Sequence, residues 1–159
     1  MMSSHPEESR AYLLQAAADL AEDSGSQSVE LLLTRYYRHV ATEDLLARRP
    51  EDLLGAALSH RTLAGRRPVG TANVRVFTPT VEQQGWSTGH TVVEVVTDDM
   101  AFLVDSVSAE MARQARTIHL IVHPQLVVRR DATGLLEEVL DVEPADAPKE
   151  FGVSVESWM

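Results

Sequence analysis

The chain has 159 residues, 44% of them hydrophobic, a formal net charge of −10 and no cysteine. That apolar content supports a core and argues against wholesale disorder, while the lack of cysteine excludes disulfides and thiolate metal sites and suits a reducing, cytoplasmic setting. No apolar run approaches the roughly 18 residues of a membrane span, and the start, MMSSHPEESRAYLL, lacks a secretory pattern.

Residues 1–67 carry 8 Arg against 10 acidic residues, and residues 68–159 carry 6 basic against 14 acidic. An acidic second half disfavours a nucleic-acid partner, which needs a basic stripe. The first half reads as helical. Tyr12, Leu13, Ala16, Ala17 and Leu20 recur at helical spacing over residues 7–22. The run DSGSQS at 23–28 breaks the pattern, with Gly25 suited to end a helix. Ser28 can cap a second helix holding Leu31, Leu32, Arg35 and Tyr36, and Thr42 a short third helix through Arg48. Pro50 suits the first turn of a fourth, with Leu53, Leu54, Ala57 and Leu58, before Gly65 and Pro68 end the helical half.

Near Gly70 the period changes to two. Ala72, Val74 and Val76 alternate as the apolar face of a strand that Pro79 stops. HTVVEVVT at 90–97 is nearly continuous in apolar residues, so it predicts a strand inside a sheet. Asp98 and Asp99 then stand where they can cap a helix from about Met100 to Ala115, with Phe102, Leu103, Val107, Met111 and Ala115 on its apolar stripe. Residues 117–129 read as one long extended segment with a bulge or edge position at Pro124. A turn at 131–134 leads into a hairpin partner, LLEEVL, and a last strand begins at Phe151. The order β-β-α-β-β-β requires the helix to cover one face of a mostly antiparallel sheet, an α+β architecture of the ferredoxin-like kind. The division falls into a helical segment, residues 1–68, and an α+β domain, residues 69–159.

Several residues could carry chemistry. His119 and His123 have the spacing of a zinc helix, but they lie in an apparent strand, where four residues span roughly 13 Å and cannot meet one ion. No metal site is expected. Asp98 and Asp99 read first as caps. They also read as ligand groups, since the free N–H groups of the helix start attract a carboxylate and the two aspartates an ammonium, so a zwitterionic amino acid would satisfy both. Arg129 and Arg130 read as the solvated end of a strand, and Trp86 and Trp158 as packing anchors. There is no nucleotide-binding glycine pattern and no G-x-S-x-G turn.

The strings RVFTPTVEQQGWSTGHTVVEVVTDDMAFLVDSV, IHLIVHPQLVVRRDATG and ESWM, with YYRHVATEDLLARRPEDLLGAALSH before them, resemble the N-terminal region of the large bacterial NAD-dependent glutamate dehydrogenases over residues 28–159. Members of that family are far longer, so the resemblance implies a fragment cut shortly after Trp158. It also implies an ACT-like domain, a regulatory or assembly role without catalytic residues of its own, and a homo-oligomer whose partner is the remainder of the parent chain. The parent would convert L-glutamate to 2-oxoglutarate and ammonia, and NAD would bind there and not in this piece. TDDMAFLVDSV is similar to the strand-to-helix junction of ACT domains, where D-R-P-G-L-L often binds an amino acid. Position by position this makes Asp98, Asp99, Met100, Ala101, Phe102 and Leu103 the candidate effector site, with Asp99-Met100-Ala101 replacing Arg-Pro-Gly. The alternatives are a stand-alone amino-acid sensor and a small enzyme using the histidines and aspartates.

Overall fold

A computed structural model of the chain describes residues 5–21 and 27–159. Four helices come first: α1 His5–Asp19, α2 Gln27–Tyr36, α3 Thr42–Leu46 and α4 Pro50–Ala64. Pro50 opens α4, with Glu51 and Asp52 in its first turn, where negative charge meets the positive end of the helix dipole. The second half runs β1 Asn73–Phe77, α5 Val81–Gln84, β2 Val92–Asp98, α6 Leu103–Arg113, β3 Gln125–Arg130, β4 Leu136–Val139 and β5 Val153–Trp158, with a 3-10 turn at Pro144–Asp146.

The five strands form one sheet in the order β1-β2-β5-β3-β4, and every neighbouring pair is antiparallel. Because β2 and β3 both run against β5, they are parallel to each other with β5 between them. The β2-α6-β3 unit is therefore a split β-α-β crossover, the hallmark of ferredoxin-like α+β folds. The expected fold class holds, but the helical layer does not come from the crossover helix. No residue of α6 is buried, whereas Val96, Leu126, Val128 and Trp158 of the sheet share one core with Leu32, Leu33, Tyr36, Leu53, Ala57 and Ala64 of α2 and α4.

His60 ties the two halves together. Its Nδ1 accepts the Tyr36 hydroxyl at 2.8 Å, its Nε2–H donates to the Val95 carbonyl at 2.9 Å, and its ring stacks on Trp158 at 5.4 Å. Burial pushes its pKa down to about 4, against a weaker upward pull from the Val95 hydrogen bond, so the ring is neutral and both nitrogens are used. At the end of α2, the Arg10 guanidinium donates to the carbonyls of Val40 and Tyr37, groups that a helix end leaves without intrahelical partners. Beside α4, Trp86 lies against Gly55 so closely that a Cβ there would sit 2.1 Å from the indole. The two tryptophans are packing anchors, 5% and 0% exposed.

Several local expectations shift. The Gly25 break lies outside the described residues. Ser28 is inside α2, not at its cap, and Ala41, not Thr42, is the N-cap of α3. In α1 the buried face is Ala17 and Ala18, while Tyr12 and Leu20 point outward. Small alanines admit the close approach of the other helices that bulky residues would prevent. Val74 and Val76 are 60% and 63% exposed, because the helices cover the opposite face of the sheet. Residues 117–124 lie outside any strand and β3 starts only at Gln125, although the Pro124 carbonyl still accepts the Trp158 N–H at 3.1 Å.

Candidate functional site

The strand-to-helix junction is built differently from a capped helix start. The N-cap of α6 is Phe102, in the left-handed region at φ 66° and ψ 15°, and it makes no side-chain cap. Neither Asp98 nor Asp99 caps the helix, because three residues separate Asp99 from Leu103. Met100, Ala101 and Phe102 are exposed and Leu103 is half-buried. A left-handed phenylalanine costs about 1 kcal/mol relative to its ordinary conformation. The residue in the glycine place of the resemblance is Ala101, yet the positive φ falls one position later.

Both aspartates turn back onto the sheet. Asp98 stands directly across from Glu156 in the β2–β5 register. Two carboxylates facing each other on adjacent strands repel. Arg67 resolves this: its Nη2 donates to Asp98 Oδ1 and to Glu156 Oε2, both at 2.8 Å. Arg130 donates to both oxygens of Glu156, at 2.7 and 2.9 Å, and Trp158 Nε1 donates to Glu156 Oε1 at 3.1 Å. Burial by itself would push the Glu156 carboxyl up, but the hydrogen bonds from Arg130 and Arg67 outweigh it and hold the pKa below the ordinary value. Two guanidinium groups thus balance two carboxylates, Glu156 fully buried and Asp98 half-exposed at the rim. Breaking a buried pair of this type typically costs about 3–5 kcal/mol, since the remaining charge is left without its partner.

Arg130 is therefore a correction to the reading of a solvated strand end. It is 6% exposed, while Arg129 points the other way to Glu138 and Glu150. Arg67 and Glu156 were not singled out by sequence reasoning. A signal for the strand members existed in the alternation: Leu126, Val128 and Arg130 share one parity in β3, and Glu156 and Trp158 share one in β5. Opposite charges at inward positions of two strands point to a buried pair. Arg67 lies in the connection after α4, and nothing in its local pattern marks it.

Asp99 takes the other side of the sheet. Its N–H donates to the Val155 carbonyl at 3.2 Å, and its Oδ1 accepts Ser157 Oγ at 2.8 Å and Gln125 Nε2 at 3.1 Å. Gln125 in turn lines a cavity of about 380 Å³ between the end of α2 and the segment entering β3. His39 and His123 face it, with Tyr36, Val40 and Ile121 as apolar wall. The Nε2 of His123 is buried and has no hydrogen-bond partner among the described residues. Burial lowers the His123 pKa, Asp99 pulls it up, and His39 pushes it down again.

The two histidines with zinc-helix spacing are not brought together. His119 lies outside the cavity and stacks on His90 with ring centroids 3.8 Å apart and planes at 13°. Both sit in a loop, not on one strand. Among the described residues no group of three or more His, Asp or Glu side chains is placed to hold a metal ion. Nor is any helix there long and apolar enough to cross a membrane.

Comparison with known proteins adds an independent line. Residues 32–159 match the family described as glutamate dehydrogenase, ACT1 domain. Over 114 residues, 72% of this chain, it is 40% identical to the NAD-specific glutamate dehydrogenase of Halomonas elongata. Over 128 residues, 80% of the chain, it is 38% identical to the NAD-specific glutamate dehydrogenase of Pseudomonas aeruginosa. The matched stretch spans only 7% and 8% of those relatives. No solved structure matches the chain.

Proposed function

The chain belongs to the glutamate dehydrogenase ACT1 domain family, and from that premise we propose that it is a non-catalytic regulatory or assembly module of a longer NAD-dependent glutamate dehydrogenase. The parent would deaminate L-glutamate oxidatively to 2-oxoglutarate and ammonia in the cytoplasm, as a homo-oligomer, with its reaction centre elsewhere in the polypeptide. The observation that carries this reading is the match itself: most of the chain aligns with less than a tenth of proteins named for that activity. In this reading residues 1–68 form a helical segment and residues 69–159 the ACT-like domain, the two sharing one core.

The junction does not fit a dinucleotide. The turn from β2 into α6 contains no glycine, whereas close approach of a pyrophosphate needs that missing side chain. Its carboxylates would also repel phosphate. NAD is therefore assigned to the remainder of the parent.

The regulatory form of the proposal places an amino-acid effector at Asp98, Asp99, Met100, Ala101, Phe102 and Leu103. Two observations bear on it. Asp98 is already engaged by Arg67, although its side chain keeps 47% of its exposure. Asp99 is engaged by Gln125 and Ser157. The assembly form requires only that the sheet or α6 face a neighbouring domain, and α6, with no buried residue, is free to do so.

Mixing the 159-residue chain with L-glutamate and NAD⁺ and following NADH absorbance tests the non-catalytic claim, with no signal above the blank expected. Reduction of NAD⁺ by this chain alone would overturn it. Deleting the region from the parent should change oligomer size or effector response, and a deletion that leaves both unchanged would refute a regulatory or assembly role.

A further inference from the structure

The two edges of the sheet are finished differently. At β4 the chain covers its own edge: Arg66 bridges Leu135, the Arg67 N–H donates to the Gly134 carbonyl at 2.9 Å, and the Leu136 N–H donates to the Gly65 carbonyl at 2.8 Å. At β1 nothing among the described residues takes that place. Which of its groups are left over follows from β2. Val95 bonds Met159 through both its N–H and its carbonyl, on the β5 side. Main-chain groups alternate sides along an antiparallel strand, so Glu94 and Val96 face β1 and bond their partners Arg75 and Asn73. The N–H and C=O groups of Val74 and Val76 therefore point outward from the sheet.

A free edge is a template for another strand, and proteins usually guard it with proline, lysine or a bulge. None of these protects β1: its sequence is NVRVF and its register with β2 is unbroken. Its single charge, Arg75, is drawn over the Phe77 ring at 3.8 Å from the centroid. Val74 and Val76 add exposed apolar side chains on the opposite face.

We propose that the free edge of β1 is an interface at which a second copy of this chain adds its own β1, antiparallel, joining two five-stranded sheets into one. The local charge selects that occupant. The chain carries a net charge of −10, which opposes contact between most pairs of its surfaces, but residues 68–81 contain Arg75 as their single charged side chain. Two copies meet there without acidic repulsion.

The same residues select the register. A two-fold axis at Arg75 would set two guanidinium groups directly opposite, which is unfavourable. An axis at Val74 would set Arg75 opposite Asn73, with no aromatic partner. An axis at Val76 sets each Arg75 opposite Phe77 of the other copy, in a close non-hydrogen-bonded pair where cation and ring attract. It also brings Val76 against Val76 and pairs the outward groups of Val74 with those of Thr78. The contacts recur on both sides of the axis, as an isologous interface requires.

This interface rests on the assembly form of the reading above and names its partner. Strands of 5 residues bury less than the roughly 800 Å² per partner of a standard stable complex, so association of the isolated chain should be reversible and concentration-dependent. Sedimentation equilibrium of the 159-residue chain from about 10 µM to about 1 mM spans such affinities, and a monomer–dimer equilibrium is expected. Val76→Lys, at an exposed position, should keep the circular dichroism spectrum and abolish the dimer, because two ammonium groups would face each other. The native chain has no cysteine, so an introduced thiol reports one contact. Val76→Cys should form a covalent dimer on mild oxidation, since directly opposed residues of a hydrogen-bonded pair lie about 5.5 Å apart at Cα, within disulfide range. Val74→Cys, of similar exposure but opposite Thr78, should not. A chain that stays monomeric throughout that range, a dimer that Val76→Lys leaves intact, or cross-linking of Val74→Cys as fast as of Val76→Cys would each overturn the proposal. The regulatory or assembly role fails separately, if deleting the whole region leaves the parent's oligomer size and effector response unchanged.

Discussion

His60→Leu tests whether the helical layer and the sheet are joined through a neutral, doubly bonded imidazole. Leucine retains most of the packing volume but bonds neither neighbour. Losing two net hydrogen bonds, about 1 kcal/mol each, and leaving the Tyr36 hydroxyl buried without its acceptor gives a destabilisation of about 2–4 kcal/mol near pH 7.5. The second half of the prediction comes from the proton. The folded ring has a pKa of about 4 and the unfolded ring the ordinary value of 6.5, because burial penalises the charged form. The unfolded chain therefore binds the proton first. The wild type's contribution from this residue is whole above pH 6.5 and falls as pH drops toward 4. Linkage puts the loss at roughly 1.4 kcal/mol at pH 5.5 and roughly 2.5 kcal/mol at pH 4.5. Leucine carries none of this loss, so the gap between the two proteins should shrink by about 2.5 kcal/mol by pH 4.5, to near zero. Urea unfolding followed by tryptophan fluorescence at the three pH values measures it. A gap that stays constant from pH 7.5 to 4.5 would refute the neutral buried ring.

Two further substitutions separate local rules from tertiary context. Gly55→Ala would ordinarily stabilise a helix interior by about 1 kcal/mol, but here the added Cβ meets the Trp86 ring, so net destabilisation with altered Trp86 fluorescence is expected; a rise in melting temperature would contradict the close approach. Phe102→Gly should stabilise the fold by up to about 1 kcal/mol, because it relieves the left-handed backbone of a residue that is 76% exposed, and a loss measured by chemical denaturation would show that the ring is held by contacts it does not have here.

The place of the candidate site, though not its ion pairs, was legible from the strand pattern. The near-continuous apolar run before Asp98 marked an interior strand, and Asp98-Asp99 marked the place where it ends. What alternation cannot reveal is the residue that comes from elsewhere in the chain. Capping was the sensible local expectation for two aspartates before a helix, since nearby backbone N–H groups are the nearest partners a local reading can supply. In the fold, a guanidinium 31 residues away and a serine 58 residues away claim those carboxylates instead. Similarly, His119 and His123 are alike in sequence, yet one stacks in solvent and the other lines a cavity.

The sequence by itself determined most of the element types, the α+β class and the family. These depend on residue periodicity, turn chemistry and ordered motifs, which are properties of neighbours along the chain. Only the tertiary structure decided that α2 and α4 rather than α6 share the main core with the sheet, and that Arg67 sits between two opposed carboxylates. Those outcomes depend on which distant surfaces meet. A buried charge reveals its partner only once the chain has closed around it, because desolvation and pairing are set by three-dimensional proximity and not by spacing in sequence.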